Sequence, residues 1–141
     1  MITKKKVLET LQSHLHENEV IETSTMTYYK AESGLSGLAG NGSALSTPVR
    51  GVLASTNQRL LFYGELSKSF PLFLEMNYKE ITSIKETNII FALFKKIPVV
   101  VVSHKEKETF SSQGFPEEHA KLVLFLKEVE EKHLTHLKKV L

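Results

Sequence analysis

No cysteine occurs among the 141 residues of this chain. That removes a disulfide framework, a thiolate-ligated zinc site and a thiol nucleophile together. Aspartate and tryptophan are absent too, so all 16 acidic residues are glutamate. An Asp-dependent catalytic triad, an EF-hand loop and a Walker-type magnesium site each need an aspartate at a fixed place, and each is excluded. Arginine is scarce, with Arg50 and Arg59 the only two against a background of lysines. The formal net charge is +2, which lacks the strong basic field of a dedicated nucleic-acid binder, so no nucleic-acid partner is expected. No run is long and apolar enough to cross a bilayer as a helix. The basic opening Met1–Lys6 leads into amphipathic sequence from Val7 to His16, unlike the continuous apolar stretch of a secretion signal. A soluble, cytoplasmic protein is the expectation, with peripheral attachment to a membrane as the alternative.

What is present is an ordinary globular composition. The hydrophobic fraction is 41% and the charged fraction 24%, too apolar for a disordered chain and sufficient for one self-contained core at this length. Val7, Leu8, Leu11 and Leu15 fall at helical spacing, and Thr3 is placed to cap a helix over residues 3–17. Val20 to Tyr29 alternates and is rich in Thr, Val, Ile and Tyr, which predicts a strand. Residues 33–46 are rich in Gly and Ser without a period and predict a loop. Further strands are predicted at Leu72–Tyr78, Ile81–Glu86, Asn88–Phe94, Ile97–Ser103 and Glu108–Gln113, with Gly64–Ser69 as a turn. From Pro116 a helix runs close to the C-terminus. Pro suits its first position, Glu117 and Glu118 its positive end, and Lys138 and Lys139 its negative end. Leu122, Phe125, Leu126, Val129, His133, Leu137 and Val140 form its apolar stripe.

The most specific wording lies between Gly51 and Tyr63. Two apolar runs, Val52–Ala54 and Leu60–Tyr63, flank Ser55-Thr56-Asn57-Gln58-Arg59. Asn tolerates the backbone of a tight turn and Thr bonds within one, so a β-hairpin is predicted. This hairpin resembles a signature of bacterial PH-like domains, G-x-L-x-x-T-N-x-R-L-x-F-Y. The segment Met76–Ile84 is similar to the same family's Tyr-x-x-Ile-x-x-Ile wording. The resemblance, to the YokE-like, GRAM-related PH superfold, extends over roughly residues 18–133 by order of elements. It implies a mainly β domain, α+β by count. About seven antiparallel strands would form a barrel of two near-orthogonal sheets, capped by the C-terminal helix. Residues 1–17 are then a helical extension and residues 18–141 the PH-like domain. It also implies a binding module without catalytic machinery.

Candidate binding residues follow from that layout. PH-like domains that hold acidic headgroups use the loops after strands one, three and six, which here carry Lys30, Arg50, Lys68, Lys105 and Lys107. Glu32, Glu65, Glu106 and Glu108 share those loops, and Arg50 is followed by Gly51 and Val52 where the phosphoinositide pattern wants another basic residue. The Gly-rich loop has no Lys-Ser/Thr terminus and opens no helix, so it meets neither phosphate-loop fingerprint. Leu93, Phe94, Lys95 and Lys96 sit at a predicted hairpin tip able to dock on a partner or a membrane. His133 and His136, i and i+3, with Glu130 a turn back, come nearest to a metal set, but HExxH is absent. His14 and His16 point to different sides of their helix and His104 is isolated in a turn. No nucleophile has a base and an orienting acid. No metal, cofactor or catalytic residue is expected. The sequence reads as a non-catalytic module for protein contacts or self-association, with acidic-lipid binding through Lys30, Arg50, Lys68 and Lys105 as the alternative.

Overall fold

The structure, a computed structural model, describes residues 3–31, 48–67, 70–91 and 95–138. Thr3 caps the first helix as its position predicts, its hydroxyl accepting the Lys6 N–H at 3.2 Å. Helix α1 covers Lys4–Gln12 and is shorter than expected. The Ser13 hydroxyl donates to the Thr10 carbonyl at 2.6 Å, and Asn18 takes a left-handed φ of 63°, so the chain leaves the helix before His14 and turns into β1.

Seven strands follow: β1 Ile21–Ala31, β2 Val49–Thr56, β3 Arg59–Ser67, β4 Phe70–Asn77, β5 Ser83–Phe91, β6 Lys95–Ser103 and β7 Lys107–Ser111. A 3-10 turn, Tyr78–Glu80, separates β4 from β5. Helix α2 spans Pro116–His133, with Pro at its start, and a short α3 covers Thr135–Lys138. The helix expected to run from Pro116 close to the C-terminus is thus broken at Leu134, and two strand readings change as well. The Gly64–Ser69 stretch expected to turn instead carries β3 on to Ser67, with its register shifting between Glu65 and Ser67. The two strands expected at Ile81–Glu86 and Asn88–Phe94 are one strand, paired residue by residue with β6 from Ser83 opposite Ser103 to Phe91 opposite Lys95.

The pairing is antiparallel throughout and joins all seven strands in one sheet of order β4-β3-β2-β1-β7-β6-β5. The anticipated pair of sheets is thus one continuous ladder with β1 shared between its halves. β1 pairs with β2 along Ile21–Tyr29 but with β7 only along Tyr28–Ala31. Helix α2 lies beside the unpartnered stretch, where Lys132 and His133 both reach Glu22, at 2.9 and 2.8 Å.

The curved sheet buries both faces of its β2–β3 half. Inside, Tyr29, Leu53, Phe62, Met76, Val100, Val102 and Phe110 pack against Leu122, Phe125, Leu126 and Val129 of α2. The rings of Tyr29, Phe62 and Phe110 meet at centroid distances of 5.6 to 5.8 Å. Outside, Val52, Ala54, Leu61 and Tyr63 are covered by Val7 and Leu11 of α1. Strands buried on both faces need apolar side chains at successive positions, which is why Val52–Ala54 and Leu60–Tyr63 read as continuous runs. The α2 stripe is as predicted for its first four members, while Val140 lies outside the described residues.

Candidate functional site

The signature hairpin buries Ser55, Thr56 and Arg59 and exposes Asn57 and Gln58. β2 and β3 are joined by the two-residue loop Asn57-Gln58. The Thr56 hydroxyl accepts the N–H groups of Gln58 and Arg59, each at 3.0 Å, and donates to Glu19 Oε2 at 2.6 Å. Arg59 forks onto the same carboxylate, Nε to Oε2 at 3.0 Å and Nη2 to Oε1 at 3.1 Å. Its Nη2 also donates to the His14 carbonyl at 2.9 Å, and its Nη1 lies 3.2 Å from Glu75. Asn57 accepts the Val20 N–H at 2.8 Å and donates to the Asn18 carbonyl at 3.0 Å. Burial by itself raises the Glu19 pKa. The hydrogen bonds from Arg59, the His16 N–H and Thr56 outweigh burial and hold it at about 2. Thr56, Asn57 and Arg59 therefore fasten the segment after α1 to the sheet.

Of the predicted cations, the register sets Arg50, Lys30 and Lys107 on one face of β2, β1 and β7. Arg50 on β2 lies over the Tyr28 ring, 4.9 Å from its centroid, and 3.6 Å from Glu118 of α2. Lys105, in the β6–β7 turn, is 3.2 Å from Glu80. Lys30 is half-buried on β1 opposite Thr109, and Lys107 is exposed at the start of β7. Lys68 lies outside the described residues, as do Leu93 and Phe94 of the predicted tip and the Gly-rich loop. Lys95 and Lys96 open β6 and are exposed. Glu108, counted with the loop carboxylates and also as the start of the predicted last strand, is buried on β7, accepting the Tyr29 hydroxyl at 2.6 Å with His104 Nε2 at 2.9 Å. His104 is thus not isolated. His133 and His136 do not share a helix face, because α2 ends at His133. His133 stacks on Tyr78 and meets Glu22, while His136 meets the Ile81 carbonyl at 3.0 Å. His14 and His16 lie beyond α1, so neither is helical.

The feature the sequence reading missed is the open side of β5. β4 and β5 are the edge strands of the sheet. β4 carries Pro71 and pairs with β3 through a register shift, two devices that blunt an edge. β5 has neither: it runs nine residues in unbroken register. Asn88 faces Pro98, which has no N–H, so that pair is a non-hydrogen-bonded one. Asn88, and with it Ile84, Glu86 and Ile90, then aims its backbone N–H and C=O away from β6. Lys85 to Asn88 are exposed, and Ile90 is 67% exposed. Beside this edge a cleft of about 140 Å³ opens between β5 and α2, with Ile84, Val123 and Leu126 on its apolar side and Glu86, Lys127 and Glu130 at its rim.

No protein-family model and no curated protein matches the chain. Among solved structures, a pleckstrin homology domain from Shewanella amazonensis SB2B is similar over 94% of this chain and 99% of its own length, with a TM-score of 0.55 and 14% identity. The C-terminal domain of an unknown protein from Leishmania infantum is similar over 87% of this chain and 91% of its own, with a TM-score of 0.50 and 14% identity. At such identity the likeness speaks for fold alone. The chain has a PH-like fold, a seven-stranded antiparallel half-barrel with a C-terminal helix, and carries an N-terminal helix besides.

Proposed function

We propose that this chain is a non-catalytic PH-like interaction module that accepts an extended protein strand along the open side of β5, a second copy of the chain being the partner. The observation that carries this reading is the open edge itself: nine residues in regular register with outward backbone groups beside an apolar cleft, with Lys85 and Glu86 its only charges. Two copies related by a twofold axis at Thr87 set Ile84 against the second copy's Ile90 and Glu86 against its Asn88. No like charges oppose one another in that register. The fold supports a binding role over catalysis, since PH-like domains are generally non-catalytic. Binding of acidic lipid at the strand loops is the weaker reading, because Lys105 already stands against Glu80 and the acidic Glu108 is built into the start of β7 beside Lys107.

Light scattering across a concentration series tests this. The full chain is expected to shift from monomer to dimer mass as concentration rises. Asn88→Pro, which removes one outward N–H and leaves the β6 ladder intact, is expected to weaken association by about tenfold or more. A monomeric mass at every concentration would remove self-association through β5.

A further inference from the structure

A second, larger cleft has no lining residue on β5. It measures about 320 Å³ and is lined by Lys4, Thr25, Met26, Arg50, Glu118 and Lys121. Its cations come from three separate elements: Lys4 from the start of α1, Arg50 from β2 and Lys121 from the first turns of α2. Among the described residues one carboxylate, Glu118, stands with them. Three positive side chains less one negative leave the lining with a charge of +2.

The arrangement is that of an anion site holding an internal substitute. Arg50 is fixed over the Tyr28 ring, which orients its guanidinium and leaves its edge free to bond. That edge faces Glu118 at 3.6 Å, too far for a hydrogen bond, and the Glu118 Oε1 is buried with no hydrogen-bond partner among the described residues. The carboxylate thus occupies an anion's place without making an anion's bonds. Lys4 makes only a long contact, 3.5 Å to the Ser24 carbonyl, and Lys121 is exposed. No acidic residue in the first turn of α1 offsets Lys4. We infer that this cleft binds a phosphate monoester, with Arg50, Lys4 and Lys121 as its donors and Glu118 as the group it displaces. A phosphate monoester carries a charge of about −1.5 to −2 at pH 7 and several strong acceptor oxygens, matching the lining in sign and size of charge. The volume is at the small end of small-molecule sites. The inference stands apart from the β5 reading, since none of its residues lies on β5.

The test is calorimetric titration of the full chain at low salt with inorganic phosphate and with glycerol 3-phosphate. Sedimentation with phosphatidylcholine vesicles, with and without phosphatidic acid, runs in parallel. Saturable one-to-one binding of the free phosphates assigns a soluble ligand; capture by phosphatidic acid vesicles alone assigns a lipid. Either result supports the site provided that Arg50→Gln and Lys121→Gln each weaken it by about tenfold, the loss expected for a charge-assisted contact. Glu118→Gln is expected to tighten binding about fivefold, since it removes the charge that competes for Arg50 and keeps the side chain's shape. Lys79→Gln, in the 3-10 turn, is expected to change nothing. Lys121 is exposed, so its variant reports on binding even if Arg50→Gln unfolds. No response to either phosphate source overturns the inference, and so does binding that Lys121→Gln and Glu118→Gln leave unchanged.

Discussion

At the scale of single residues, Glu19 and Arg59 decide whether the N-terminal segment stays on the sheet. Both side chains are almost wholly buried, Glu19 at 0% and Arg59 at 6% exposure. Removing one partner strands the other charge, which costs about 3–5 kcal/mol, whereas replacing both with apolar groups of similar size restores most of that loss. Urea unfolding of Arg59→Leu, Glu19→Leu and the double variant at pH 7 checks this, and a double variant no better than the worse single one would contradict it. Acid titrates the same group. Its folded pKa of about 2 lies below the ordinary value of 4.5, so its contribution is complete above pH 4.5 and is lost as pH falls toward 2. That difference amounts to about 3 kcal/mol, and Glu19→Gln is expected to flatten the wild-type fall in stability over this window. Equal slopes in the two proteins would show that other carboxylates govern acid unfolding. Glu22, held low against its own burial by His133 and Lys132, adds to the fall with the same sign.

At the scale of elements, the β2–β3 hairpin depends on a pair of glycines facing one another. Gly51 stands opposite Gly64, and a Cβ on Gly51 would lie 2.2 Å from the Tyr63 carbonyl oxygen and 2.7 Å from the Gly64 Cα. Both neighbours are backbone, so no side-chain rotation relieves the clash. Gly51→Ala is expected to cost about 3 kcal/mol or more, beyond an ordinary substitution. Gly114→Ala, where φ is +87° but the nearest atom is the Ile97 Cγ2 at 3.4 Å, should cost about 1–2 kcal/mol from backbone strain alone. Equal losses in thermal melts would mean that strand spacing is not what Gly51 secures. The hairpin was legible in sequence because its signals are local: Asn57 and Gln58 form the loop and the flanking runs are buried on both faces. The single β5 was not, because an edge strand exposes Lys85 to Asn88 and so reads as a break between Ile84 and Ile89. Pattern reports burial, whereas pairing is a fact of the sheet. The clasp was hidden for a related reason, since nothing local to Arg59 announces Glu19. Arg50 was found as a candidate, but Glu118 and Lys121 reach it only through the docking of α2.

At the scale of the whole molecule, the fold separates two surfaces of different physics. The β5 edge offers backbone hydrogen bonds and apolar side chains, with Ile90 exposed and Ile84 lining a cleft. The Arg50 cleft offers charge, and it exists only while α1 and α2 are both docked, since Lys4 comes from one and Lys121 from the other. α1 is held there by Val7 and Leu11, exposed by 1% and 0%. A net charge of +2 gives little long-range attraction, so each surface must act at short range. Salt then distinguishes them. Raising NaCl from about 0.05 to 0.5 M shortens the screening length from above 10 Å to a few ångströms. Phosphate binding at the Arg50 cleft should weaken by about tenfold or more, because its donors are exposed or half-buried cations. Association through β5 should hold to within about twofold, because strand pairing and apolar burial are not screened. Calorimetry and light scattering on the same preparation at both salt concentrations check the two together. If association falls with salt as steeply as phosphate binding does, the copies meet through charged side chains and the β5 assignment fails, whatever becomes of the cleft.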